Sequence, residues 1–196
     1  MQTIPPALMV GLRFLTAGCL LLPVVRALGQ PIRVSLRDLR VLFPIGLLLL
    51  VGGNGGVVWA EQYVPSGLAA LLVATVPLWM AVLETALPGG SGLTVAAASG
   101  LLTGFLGVAV LLWPKLQGAQ GGDLRGEAAL LLAAVCWAIG SVWSRRAGLA
   151  VPPLVATGWQ MLLGGALMTA VSLATGEAAS ARWTGGPGPA SPPWPT

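Results

Sequence analysis

The feature that most constrains this chain is the recurrence of long apolar blocks. The stretch ALMVGLRFLTAGCLLLPVV, residues 7–25, is followed by similar blocks over about residues 41–60, 67–87, 93–113, 127–143 and 154–174. Each is close to the ~20 residues that cross a hydrocarbon core of ~30 Å at ~1.5 Å per helical residue. A soluble core has no need of that repeated length. The spacing predicts about six transmembrane helices, hence an all-α polytopic membrane protein. Composition agrees: 8% of residues are charged, 56% are hydrophobic and the mean hydropathy is +0.86, whereas a soluble domain is about one quarter charged.

Charge and residue types exclude several function classes. A net charge of +4 and a pI near 10.1 would suit a nucleic-acid binder. The arginines, however, lie between the apolar blocks instead of forming one basic face, so no nucleic-acid partner is expected. Histidine is absent, and Cys19 and Cys136 stand singly inside apolar blocks. Neither a metal site nor a disulfide framework is indicated, and no cofactor is expected. A membrane-embedded enzyme acting on lipid needs clustered His, Asp, Glu, Ser or Lys side chains; the acidic residues here are scattered, so an enzyme is not expected. The first block lacks the basic start and small-residue cleavage site of a signal peptide.

Orientation follows from the loops. Arg26, Arg33, Arg37 and Arg40 follow the first block, and Arg145 and Arg146 follow the fifth. These two connections are an even number of spans apart and so share a side. Lys115 and Arg125, after the fourth block, fall on the other. The richer side, including the loop at residues 33–40, is expected to be cytoplasmic in an inner-membrane, multi-pass protein.

An internal repeat runs at a constant offset of 147 residues, from Pro5/Pro152 and Pro6/Pro153 through Gly11/Gly158 and Gly18/Gly165 to Gly29/Gly176. Leucine and valine matches carry little weight in apolar sequence; the Pro-Pro and glycine pairs carry the signal. Five spans separate the two starts, so the copies cross in opposite senses, an inverted-topology repeat typical of secondary transporters. The same offset leaves the fifth block without a counterpart upstream and blocks two to four without counterparts downstream. The expected organisation is a first repeat over residues 1–113 lacking its first helix, and an extracytoplasmic connection over 114–126. The start of a second repeat follows over 127–176, then a disordered or frameshifted tail over 177–196. The chain is expected to be truncated at both ends.

Polar groups inside apolar blocks are expensive and therefore candidates for the substrate pathway. Arg13 lies about 9 Å below the outer end of the first span; it either snorkels to the interface or faces a central cavity, pairing with a substrate carboxylate or with Glu61. Its repeat counterpart is Gln160, polar but neutral. Glu61 ends the second span at the outer surface, solvated or turned inward for proton coupling. Glu84, near the inner end of the third span, is weighed in the same way and less favoured. Pro77 removes a helix hydrogen bond near Thr75 and makes either a hinge and ligand seat or a packing kink. Trp59, Trp113 and Trp143 suit interfacial anchoring, while Trp137 and Trp159 lie deeper.

The segment GGNGGVVWAEQY, residues 52–63, carries four glycines around Asn54. It fails the dinucleotide pattern, because Val58 stands where the third glycine is required, and it lacks the phosphate-loop lysine. Inside a spanning block these glycines instead permit close helix approach or local unwinding, with Asn54 facing a cavity, a neighbouring helix or a ligand.

The runs VPSGLAALLVATVPLWMAVL, GLRFLTAG and AAVCWAIGSVWSRR resemble helices of EamA-type permeases of the drug/metabolite transporter superfamily. GNGGVVWAEQYVPSG looks closest to the YedA-like branch of inner-membrane permeases. The resemblance implies ten helices in two inverted five-helix halves around a central cavity of alternating access, and it carries over Arg13, Gly67, Thr75, Pro77 and Trp137. The expected function is an integral-membrane permease, an exporter of a small metabolite or drug-like solute, coupled to a proton or an exchanged solute. A non-transporting remnant of such a permease is the alternative. The expected partners are the lipid bilayer and that solute, with homo-oligomerisation left open.

Overall fold

A computed structural model of the chain describes residues 5–90, 92–117 and 123–176. The expected tail and the middle of the expected connection lie outside the described residues. Those described are helical, without strands, and fall into α1 (Pro6–Ala27), α2 (Leu36–Gly46), a π-helix (Leu47–Gly55), α3 (Gly56–Ala60), α4 (Ser66–Val73), α5 (Val76–Ala86), α6 (Val95–Gln117), α7 (Leu124–Arg146) and α8 (Pro153–Ala174). Among the described residues five stretches have the length and hydropathy to cross a membrane: Ala7–Ala27, Leu36–Ala60, Ser66–Ala86, Leu124–Arg146 and Pro153–Ala174. The apolar part of α6, Val95–Val110, is shorter.

Helix ends follow local chemistry. Ser35 caps α2, its Oγ accepting from the Asp38 N–H at 3.1 Å, which satisfies one of the otherwise unpaired first-turn amides. Asp123 caps α7 in the same way through the Arg125 N–H at 3.0 Å. With Glu127 in its first turn and Arg145 and Arg146 in its last, α7 also has both ends matched to its dipole.

The repeat is visible in the helix boundaries. Both α1 and α8 are 22 residues long and begin on the second proline of a Pro-Pro pair, where a missing N–H and a preset φ suit the first helical turn. Both also end alike: Gly29 at φ +82° and Gly176 at φ +72° take the left-handed conformation after the last turn, which glycine adopts without a Cβ penalty. The Gly29 N–H donates to the Arg26 carbonyl and the Gly176 N–H to the Leu173 carbonyl, positions again related by the repeat.

These two helices pack on each other through the paired glycines. A Cβ on Gly11 would lie 3.1 Å from the Gly165 carbonyl oxygen, and one on Gly18 3.1 Å from that of Gly158. The offset pairs Gly11 with Gly158 and Gly18 with Gly165, so each contact is the image of the other with the partners exchanged. That reciprocity marks an antiparallel crossing about a pseudo-two-fold axis perpendicular to the helices. An axis so placed lies in the membrane plane.

The π-helix and α3 lean on α7, and α4 packs there through Ala69 beside Ala60, Val64 and Leu130. Large apolar side chains on the periphery, Leu20, Leu102, Val110, Leu132 and Leu173 among them, remain exposed. A surface of this kind matches hydrocarbon, where only helices with internally paired backbones are stable.

Candidate functional site

Three candidate residues lie along one face of α7 or against it. The π-helix approaches α7 closely: a Cβ on Gly52 would sit 3.0 Å from Cys136 Sγ, and one on Gly53 3.4 Å from Cγ of Trp137. Glycine is what allows this approach. Asn54 turns its amide along its own helix, Nδ2 donating to the Leu49 carbonyl at 3.0 Å, an i→i−5 bond that matches the π register. This bond occupies one donor of the amide.

About 10 Å further along α7, Gln160 of α8 is 6% exposed. Its Nε2 donates to Ser144 Oγ at 3.4 Å, and its backbone carbonyl lies where a Cβ on Gly46 would come within 3.3 Å. Trp137 and Ser144, seven residues apart, thus hold Gly53 and Gln160 on the same helical face.

The remaining candidates lie elsewhere. Arg13 is exposed on the face of α1 turned away from α8, with Cζ 5.0 Å from the centroid of the Phe14 ring, a cation–π distance. Glu61 is exposed just beyond α3. Among the described residues the ion pairs are those of Glu84, so Arg13 and Glu61 do not meet. Thr75 and Pro77 stand at the break between α4 and α5, where Thr75 Oγ1 donates to the Leu72 carbonyl at 2.5 Å. Trp159 ties the start of α8 to the α1–α2 loop, its Nε1–H donating to the Ile32 carbonyl at 3.0 Å.

Two kinds of space adjoin these groups. A cavity of about 290 Å³ between α1, the π-helix, α3 and α8 is lined by Val10, Val51, Gly55, Trp59, Gln62 and Met168; none of the candidates lines it. A second, of about 340 Å³, lies between α4, α5 and α6 and includes Pro77, Leu78, Gly104 and Phe105. Among the described residues no group of His, Cys, Asp or Glu is arranged to hold a metal ion.

The polar cluster that sequence reasoning undervalued is at the arginine-rich end. Glu84 Oε1 meets Arg145 Nη2 at 2.8 Å and Glu84 Oε2 meets Arg146 Nη2 at 2.7 Å. Arg146 Nη1 also donates to the Pro88 carbonyl at 3.0 Å. The signal was present: the third and fifth spans end on the same side, two crossings apart, one with a carboxylate and the other with an arginine pair.

Spanning helices, an inverted antiparallel helix pair and a polar seam between packed spans define a multi-pass helical membrane protein. Residues 1–113 and 124–187 match the EamA-like transporter family, and the chain belongs to it. It is 37% identical over 181 residues to the uncharacterized inner membrane transporter YedA of Escherichia coli K12, covering 88% of this chain and 55% of that protein. It is also 31% identical to a WAT1-related chloroplastic protein of Arabidopsis thaliana, over 86% of this chain and 41% of that one. A solved crystal structure superposes with a TM-score of 0.71 at 28% identity, over 87% of this chain and 59% of the other. The chain therefore spans about half the length of the curated relatives it matches. Like YedA, it is an inner-membrane, multi-pass protein.

Proposed function

We propose that this chain belongs to a permease that exports a small metabolite or drug-like solute by alternating access, coupled to a proton or an exchanged solute. The observation that carries the reading is the reciprocal crossing of α1 and α8, Gly11 on Gly165 and Gly18 on Gly158. An inverted repeat of this kind gives a protein two nearly equivalent arrangements, one facing each side of the membrane. Arg13, Asn54, Glu61, Thr75, Pro77, Trp137 and Gln160 are proposed to contribute to the pathway. Arg13 is the anion-binding group among them: its guanidinium is exposed at membrane depth and has no carboxylate partner among the described residues.

The test is reconstitution of the chain in proteoliposomes, with a panel of radiolabelled amino acids, organic anions and lipophilic cations. At least one solute is expected to move down an imposed gradient, and Arg13→Ala is expected to abolish that movement while the protein still inserts. A correctly inserted chain that moves none of the panel would overturn the reading in favour of a non-transporting remnant. Unchanged kinetics in Arg13→Ala would remove Arg13 from the pathway.

A further inference from the structure

We infer that α5 is a lever, hinged at Ala74–Pro77 and latched by Glu84 to Arg145 and Arg146, whose release opens a cleft between α5 and α7 toward the arginine-rich end. The inference rests on the alternating-access reading and names the element that gates that side.

The hinge is a backbone interruption. The chain leaves α4 after Val73 and enters α5 at Val76. Between them the Thr75 N–H reaches back only three residues, to the Leu72 carbonyl at 3.1 Å, and Pro77 has no N–H to give. A span broken there bends more easily than one with a continuous ladder of hydrogen bonds.

The latch lies in the last turn of an 11-residue helix, ~12 Å from the hinge. Both carboxylate oxygens of Glu84 are held by arginines of α7, and the Pro88 carbonyl takes a third contact, so the tip of the span and the loop beyond it are tied to the same helix. The side chains are partly exposed, 23% for Glu84, 31% for Arg146 and 55% for Arg145. Ion pairs so placed are individually weak and can exchange with water.

The lever packs along α7 on one face and has room to move on the other. No residue of α5 is buried, whereas α1, the π-helix, α7 and α8 are joined through glycines where even a methyl group would collide. On the side away from α7, two apolar cavities of about 340 and 310 Å³ lie between α5 and α6, beyond the place where α4 meets α6. They share Leu78, Leu101 and Phe105 and extend to Val82 and Thr85. Gly100 and Gly104 of α6 have nothing within 4 Å of an added Cβ. Once Glu84 is released, α5 can swing into that gap, and only then does the face carrying Met80 and Glu84, one turn apart, part from α7.

The experiment reads alkylation by a membrane-impermeant maleimide in inside-out vesicles, with Cys19→Ser as background. Three positions report: Met80→Cys on the α7 side of α5, Val82→Cys in the gap, and native Cys136, packed against Gly52, as a control for general loosening. Adding Glu84→Gln is expected to raise labelling at Met80→Cys by roughly two- to five-fold, the population change that loss of an exposed ion-pair network allows. Labelling at Val82→Cys should fall and that at Cys136 should stay constant. The exchanged triple variant Glu84→Arg, Arg145→Glu, Arg146→Glu should restore the original pattern. Unchanged Met80→Cys labelling, or a parallel rise at Cys136, would overturn the latch. Because labelling needs no transported solute, the latch can fail while transport stands, or stand where transport fails.

Discussion

A Cβ added at Gly165 would lie 2.8 Å from the Leu15 backbone nitrogen and 3.0 Å from the Gly11 carbonyl oxygen, whereas one added at Gly104 would meet nothing within 4 Å. Backbone atoms cannot rotate aside, so Gly165→Ala has to push α1 and α8 apart. It is expected to lower stability by about 1–3 kcal/mol, the usual cost of overpacking. Gly104→Ala fills open space and removes a flexible residue from a helix, so it should be neutral or stabilising by up to about 1 kcal/mol. Thermal unfolding in detergent, compared at one protein concentration, separates the two; equal shifts would contradict the packing. The glycine pairs were legible because they recur at a fixed offset beside Pro-Pro. The partner of Asn54 was not, since an amide that bonds five residues back along its own helix has the same sequence signature as one that faces a ligand. Glu84 was legible only in part: its side of the membrane followed from counting spans, but pairing with both Arg145 and Arg146 depends on how α5 lies against α7.

At the scale of elements, the third span was expected as one block with a weak point at Pro77, and it forms as α4 and α5 with the break beside Thr75. Proline leaves an unambiguous mark in sequence because it lacks an N–H whatever the packing. The π-helix had no such mark. Its glycines permit either an ordinary helix or a wider one, and the choice rests on contacts across the seam, Gly52 with Cys136, Gly53 with Trp137 and Gly56 with Ala133. Pro77→Ala restores a donor to the Val73 carbonyl and lets α4 and α5 join. Stability should rise by less than the ~3 kcal/mol that an interior proline costs a helix. In the Glu84→Gln background the same change should suppress the added Met80→Cys labelling, because a released latch moves nothing if the hinge is stiff. Undiminished labelling in the double variant would place the flexible point elsewhere in the span.

For the whole molecule, contacts between loops sort the helix ends into two groups. At one end the Asp123 N–H reaches the Tyr63 carbonyl at 3.4 Å, and Gly126 lies so close to Tyr63 and Val64 that a Cβ there would clash. At the other, Trp159 holds Ile32, and Arg146 holds Glu84 and Pro88. The arginine count in the sequence assigns Arg26, Arg33, Arg37, Arg40, Arg145 and Arg146 to this second group, so charge and packing agree on which loops share a side. The positive-inside bias predicts that this side is cytoplasmic. With Cys19 and Cys136 replaced, Arg33→Cys and Ala150→Cys should therefore react with an impermeant maleimide only in inside-out vesicles, and Gln62→Cys only in intact cells. All three reversed would invert the orientation and leave the fold intact. Arg33→Cys and Ala150→Cys reacting from opposite sides would instead break the pairing of α1 with α8, since antiparallel helices that cross at Gly11–Gly165 and Gly18–Gly158 must place the end of the first beside the start of the second.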